Sequence, residues 1–222
     1  MSTPALQLAT LYETDARGRL TTTREPARQP APKFVIVRST TASAWGIRAD
    51  VSDALAEELA ALAREEPPLI DLHDLPRHVD RYRPLGTTEW FGPAFEFPEL
   101  AATAGDIVRV DDERALNVNF RGWAPGEIAA GCAPVMGIVV EGHPVSICFC
   151  ARRSDLAAEA GVDTAPAYRG RGYAGRVTSA WALAMRASGR IPLYSTSWTN
   201  TASLGVASKL GLVAYANTWS IA

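Results

Sequence analysis

Nine residues, Tyr168-Arg-Gly-Arg-Gly-Tyr-Ala-Gly-Arg176, hold three glycines and three arginines and run directly into Val-Thr-Ser-Ala-Trp-Ala. A flexible, positively charged turn at the mouth of a helix is built to receive an anion. Free backbone N–H groups and the helix dipole favour a phosphate there, and glycines let it come close. Two familiar phosphate loops fail on context. Gly170-Arg-Gly-Tyr-Ala-Gly175 has the spacing of a dinucleotide fingerprint. That motif needs a strand running straight into its first glycine, and an acid at the end of the next strand. Here Ala165-Pro-Ala-Tyr-Arg intervenes, and the next strand runs out through Ser197-Trp-Thr-Asn200. A Walker-type loop needs Gly-Lys-Ser/Thr, and the stretch has none.

The elements that must position this turn follow from periodicity. A helix fits 172–188, with Ala174, Val177, Trp181 and Ala184 on one side and Gly189 as its stop. Strands are expected at 106–110, 135–140, 145–150, 159–164 and 192–198. A second helix fits 201–210, and closing strands fit 212–215 and 218–221. Upstream, 34–38 and 45–48 read as paired strands. Ser52 caps a helix through Arg64 with Leu55, Leu59 and Leu62 inward. Residues 69–103 read as aromatic and turn-rich, with Trp90, Phe91, Phe95 and Phe97 as core packing sooner than a substrate-facing wall, and the first 32 or so as a loosely held arm broken by prolines. The expected division is an N-terminal, acceptor-shaping region over 1–103 and a cofactor-binding domain over 104–222.

Composition bounds the rest. The chain has 222 residues, 47% hydrophobic and 21% charged, with a formal net charge of −2. That balance carries no general footprint for nucleic acid or membrane. No apolar run approaches the roughly 18 residues of a spanning helix, and a reducing cytoplasm is the expected home. Cys132, Cys148 and Cys150 lack metal-type spacing and read as buried small hydrophobes. Asp71, His73, Asp74 and His78 look like metal ligands, but Pro76 interrupts the helical spacing, so no metal is expected. Monomer and homodimer both remain open.

Parsed as Arg169-x-x-Gly172-x-Ala174, the loop resembles the pyrophosphate loop Gln/Arg-x-x-Gly-x-Gly/Ala of the GCN5-related N-acetyltransferase (GNAT) superfamily. Asn200-Thr-Ala-Ser203 followed by Lys209-Leu-Gly211 is similar to that family's second segment. The resemblance covers about 104–222. It implies an α/β fold with a GNAT-like mixed central sheet flanked by helices, here with an additional N-terminal α/β region. It also implies an acetyl-CoA-dependent N-acetyltransferase, in which an amine of a small molecule or protein attacks the thioester directly. Cofactor contacts are then expected from Val162, Asp163 and Thr164, from Arg169, Gly170, Arg171, Gly172, Tyr173 and Ala174, and from Asn200 and Ser203. An alkyl amine near pKa ~10 must lose a proton before attacking, whereas a thiol near ~8.5 departs tolerably as thiolate. A general base therefore matters more than a general acid. Glu159 is the candidate base, against a structural role paired with Arg152 or Arg153. The family's usual tyrosine position is Ala207 here, which leaves the acid unassigned, with Ser203 or Tyr194 able to substitute. The same departure sustains a rival reading, an acyl-CoA-binding regulatory domain without turnover.

Overall fold

The computed structural model describes residues 2–100 and 105–222. A mixed α/β architecture is built on one nine-stranded sheet. Helix α1 (Pro4–Leu11) leads into a hairpin of β1 (Tyr12–Thr14) and β2 (Leu20–Thr23), and β3 (Phe34–Arg38) and β4 (Ser43–Ile47) follow. Next come α2 (Asp53–Arg64), a short α3 (Val79–Tyr82), β5 (Thr88–Glu96), β6 (Ile107–Val110) and a one-turn α4 (Glu113–Leu116). The chain then forms β7 (Val135–Val140), β8 (His143–Arg153), β9 (Ala157–Thr164), α5 (Tyr173–Ala187), β10 (Ile191–Ser195), α6 (Thr201–Lys209) and β11 (Val213–Ile221). Strand order is β4-β3-β11-β5-β10-β9-β8-β7-β6. Only β9 and β10 run parallel; the other neighbours in this sheet are antiparallel.

Most expected elements are present, and the differences have physical causes. The arm is not loose. Thr3 caps α1 by accepting from the Leu6 N–H at 3.1 Å, and Pro4 occupies the helix start, where a missing N–H costs nothing. Gln7, Thr10, Leu11 and Leu20 are buried. Segment 88–96, read as turn-rich because of Gly92-Pro93, is a central strand between β11 and β10. Gly92 is required there, because a Cβ would lie 1.9 Å from the Thr196 carbonyl oxygen. Helix α2 is rotated from the expected stripe, burying Ala56, Leu59 and Ala63 and leaving Leu55 exposed. Ser52 stands at its cap position without a side-chain bond. The two expected closing strands are one, β11.

The expected division at 103/104 falls outside the described residues. Strands from both sides of it share the sheet: β5 pairs with β10 and β11, and β11 pairs with β3. One face carries two helix clusters. Helices α2 and α3 cover Phe34, Ile36, Trp219 and Ile221, while α5 and α6 cover Cys148, Cys150, Ala158 and Tyr194. Phe91 belongs to the first cluster and Phe95 and Phe97 to the second; their even spacing along the chain puts both clusters on the same face. The opposite face receives α1 and its hairpin.

A buried polar lock ties the connection between α2 and β5 to this sheet. The Glu66 carboxylate accepts from the Arg77 N–H at 2.6 Å, the His78 N–H at 2.9 Å and the Tyr82 hydroxyl at 3.1 Å. Arg38 on β3 stands 3.6 Å away, with both side chains almost fully enclosed. Burial pulls the Arg38 guanidinium below its usual range, and Glu66 opposes that shift. Removing one partner of such a pair strands the other charge. Glu66→Ala is therefore expected to cost about 3–5 kcal/mol, read as a lowered midpoint in urea unfolding, with Glu66→Gln losing less. An unchanged midpoint in Glu66→Ala would show that the lock contributes nothing.

Candidate active site

The parallel pairing of β9 with β10 is short. It runs Ile191↔Ala157, Pro192↔Ala158 and Leu193↔Glu159, and then stops. Strand β9 continues to Thr164, still paired with β8 on its other side. The Ala165 N–H bonds the Val145 carbonyl at 2.9 Å. By antiparallel alternation, the backbone groups of Val162 and Thr164 therefore turn away from β8, toward the side where β10 has left. Of these two expected cofactor contacts, Val162 has its edge open. Thr164 is already engaged: its N–H donates to the Asp163 carboxylate at 2.7 Å, and its carbonyl accepts from Arg169 Nε at 3.0 Å.

The glycine-rich turn leads from this gap into α5. Gly170 and Gly172 both take left-handed backbone, at φ 78° and 77°. A Cβ at either would meet nothing within 4 Å, so backbone conformation, not packing, requires glycine there. Gly172 is the cap position of α5, so the first-turn N–H groups, Tyr173 and Ala174 among them, have no carbonyl one turn back. Arg171 lies over the Tyr168 ring at 5.0 Å and donates to the Ala167 carbonyl at 3.2 Å. Arg176 pairs with Asp106. An open, cationic helix start with two left-handed glycines fits a diphosphate.

Glu159, at the last parallel pair, is 3% exposed. It lies on the face opposite α5, since its neighbours Ala158 and Ala160 pack in the α5 cluster. Ser195 Oγ donates to Glu159 Oε1. Arg152 Nη1 lies 3.8 Å from Glu159 Oε2, which has no hydrogen-bond partner among the described residues. A bulge between Cys150 and Arg152 makes this meeting possible. Strict alternation would leave Arg152 on the helix face with Cys148 and Cys150; one extra residue turns it toward Glu159. Arg152 also pairs with Glu25 from the arm. Burial raises the Glu159 carboxyl above the usual range, while Arg152 and the Ser195 bond pull it back. Arg153, the other expected partner, instead points a guanidinium nitrogen at the Ala133 carbonyl, 3.5 Å away.

On the opposite face, the Tyr194 hydroxyl meets Ser203 Oγ at 2.7 Å. Tyr194 is buried, and burial raises its phenol above the usual range. Asn200 caps α6, its side-chain oxygen accepting from the Ser203 N–H at 3.1 Å. Ala207 is buried in the α5 cluster. Sequence reasoning missed Ser195, although its adjacency to Tyr194 on a strand signals that the two address opposite faces. The tempting Asp71–His78 stretch is used otherwise. His73 bonds Asp71 at 3.1 Å and stacks on Trp198 with ring centroids 3.8 Å apart. Cys148 and Cys150 share the α5 face, as expected.

A mixed sheet whose two parallel strands part beside a glycine-rich helix start defines a GNAT-type fold. Residues 129–219 match the family model for GNAT acetyltransferases. Among solved structures, a Drosophila protein is 14% identical, covering 90% of this chain and 73% of its own, with a TM-score of 0.52. At that identity the likeness is one of fold. A protein of the GNAT family from Novosphingobium aromaticivorans is 24% identical over 60% of this chain, with a TM-score of 0.48, and the match spans 65% of that protein. An acetyltransferase of the GNAT family from Colwellia psychrerythraea is 15% identical over 81% of this chain and 76% of its own, with a TM-score of 0.49. No curated protein gives a significant match. No helix among the described residues is long and apolar enough to cross a membrane.

The turn yields a direct test. Gly172→Val forces a branched side chain onto left-handed backbone and into the space above the helix start. Calorimetry with coenzyme A is expected to show strongly weakened binding with the melting temperature little changed. Undiminished affinity would remove the turn from the cofactor site.

Proposed function

We propose that the chain is an acetyl-CoA-dependent N-acetyltransferase that passes an acetyl group directly to an amine. One observation carries this reading. Where β9 and β10 part, a carboxylate–hydroxyl pair, Glu159–Ser195, lies on one face of the sheet, and a phenol–hydroxyl pair, Tyr194–Ser203, lies on the other. A proton acceptor and a proton donor thus flank the same opening. When bound, acetyl-CoA supplies the acyl thioester. The amides of 169–174 would hold its diphosphate, with Arg171 adding charge, and the open edge at Val162 would take the pantetheine arm as an added strand. Asp163 and Arg169 act on the cofactor only indirectly, through the backbone of Thr164. Asn200 fixes the first turn of α6 and so the position of Ser203.

Glu159 takes the amine proton, with the Ser195 hydroxyl between them as relay. A carboxylate raised toward neutrality by burial is better matched to this task than an exposed one. Ser203 holds a proton on the far side, backed by Tyr194, which fills the role left open by Ala207.

Glu159→Gln is expected to lower turnover near neutral pH by about 10²–10⁴-fold, with coenzyme A affinity nearly unchanged and partial rescue at higher pH. The sign for stability is equally definite. The folded-state carboxyl is raised, so the stability it contributes is present below its unfolded pKa and lost as pH rises through the folded value. The ionised form is thus held at a cost, and Glu159→Gln should melt no lower than wild type at pH 7. A lower melting temperature with near-normal turnover would make Glu159 structural.

Ser203→Ala and Tyr194→Phe should each slow thiol release less than Glu159→Gln does. The double variant should be no slower than the worse single one, because the two hydroxyls act as a unit. Full additivity would separate them. If acetyl-CoA binds but no amine in a broad panel releases thiol, the chain is a binding domain and not an enzyme.

A further inference from the structure

Beneath the N-terminal arm, on the Glu159 face of the sheet, lies a cavity of about 170 Å³. Tyr12 and Glu25 of the arm, Trp90 of β5, Arg152 of β8, Ser195 of β10 and Thr218 of β11 line it. We propose that this cavity is the acceptor site, that it takes a compact primary ammonium ion, and that Glu25 recognises the charge. The proposal rests on the acetyltransferase reading for its chemistry, but not for the binding it predicts.

Three observations support it. The first is charge. Glu25 and Glu159 share the single guanidinium of Arg152, leaving one negative charge unbalanced, and a monocation restores neutrality. The second is an unmet polar group. The Thr218 residue is 2% exposed, yet its hydroxyl has no hydrogen-bond partner among the described residues. A buried hydroxyl in a polar cavity is completed by a ligand able to donate to it, and an ammonium has three donors. The third is size. A cavity of about 150 Å³ holds a benzene ring, so this one accommodates a ring or short alkyl chain against Tyr12 and Trp90, but not a peptide backbone beside the amine. Ser195 joins the cavity to Glu159, so the same hydroxyl touches the acceptor space and the base. In the transfer, the bound ammonium first gives one proton through Ser195 to Glu159, which frees the nitrogen lone pair. The nitrogen then forms the new C–N bond as the C–S bond breaks, and the second N–H proton goes to the departing thiolate, leaving the amide and a thiol.

The test uses the full chain and two readouts. Benzylamine, n-butylamine, benzyl alcohol and a lysine-containing octapeptide are titrated calorimetrically, and the amines are then assayed by thiol release with saturating acetyl-CoA. Both small amines are expected to bind, with benzyl alcohol and the peptide much weaker. Glu25→Gln should raise the KM for benzylamine about tenfold or more, as loss of one charge-assisted contact predicts. Its coenzyme A affinity should stay close to wild type, and Glu25→Asp should restore much of the loss. Gln29→Trp, at the exposed rim, should obstruct entry without touching the charge. An unchanged benzylamine KM in Glu25→Gln, or a peptide acetylated as well as benzylamine, overturns the proposal while leaving acetyl transfer intact. If no amine is acetylated, the functional reading fails alone. The calorimetry still decides the cavity, with binding lost in Glu25→Gln supporting it and no amine binding overturning it.

Discussion

Everything at the site depends on how soon β9 and β10 stop pairing. Three parallel pairs hold the strands together, and the last of them is Leu193↔Glu159. Beyond that point β9 keeps β8 on one side only, and β10 keeps β5. A sheet interior is normally the worst place to leave backbone amides unpaired. Here the vacancy is flanked on either side by completed ladders, so its cost is local and its shape is rigid. The parting also sets which side chains meet. Tyr194 and Ser195 are neighbours in sequence, yet they look to opposite faces and there engage Ser203 and Glu159. A longer ladder would close the gap and leave these hydroxyls inside an ordinary core.

The bulge at the end of β8 is the second determinant. Without it, Arg152 would enter the apolar layer under α5, where Met185 and Cys150 are in contact. With it, the guanidinium sits between a carboxylate of the sheet and one of the arm. The arm is thereby tied to the centre by charge as well as by the burial of Gln7, Thr10 and Leu11. Glu66 and Arg38 do comparable work on the other helix-covered side, fastening 66–82 to β3.

Legibility in the sequence followed the kind of signal. The glycine-rich turn, α5, α6 and the strands around them carry periodicity and punctuation of their own, and they stand where those signals put them. Glu159 could be chosen because it opens the expected central strand, where the family resemblance implies a carboxylate. Strand β5 was hidden because Gly92-Pro93 reads as a turn, while the fold uses Gly92 for a close backbone approach visible only in three dimensions. The arm was hidden because the prolines of 24–32 read as breaking any element, while the helix and hairpin lie ahead of them, over 4–23. Arg152 and Arg153 were both legible as partners for Glu159, but the choice between them was hidden by the bulge, since strict alternation assigns Arg152 to the other face. Glu25 lies more than a hundred residues from its partner, and no local pattern connects them.

The strand order has a consequence for how the molecule is made. Strands β3 and β5 leave the ribosome well before β11, yet in the finished sheet they never touch, because β11 lies between them. Until residues 213–221 arrive, the early strands lack their common neighbour, and each shows an unpaired edge to its surroundings. The nascent chain therefore carries its aggregation hazard until β11 has been made. A chain that stops short of β11 loses the middle of its sheet, not its margin, so this strand is the keystone of the whole assembly.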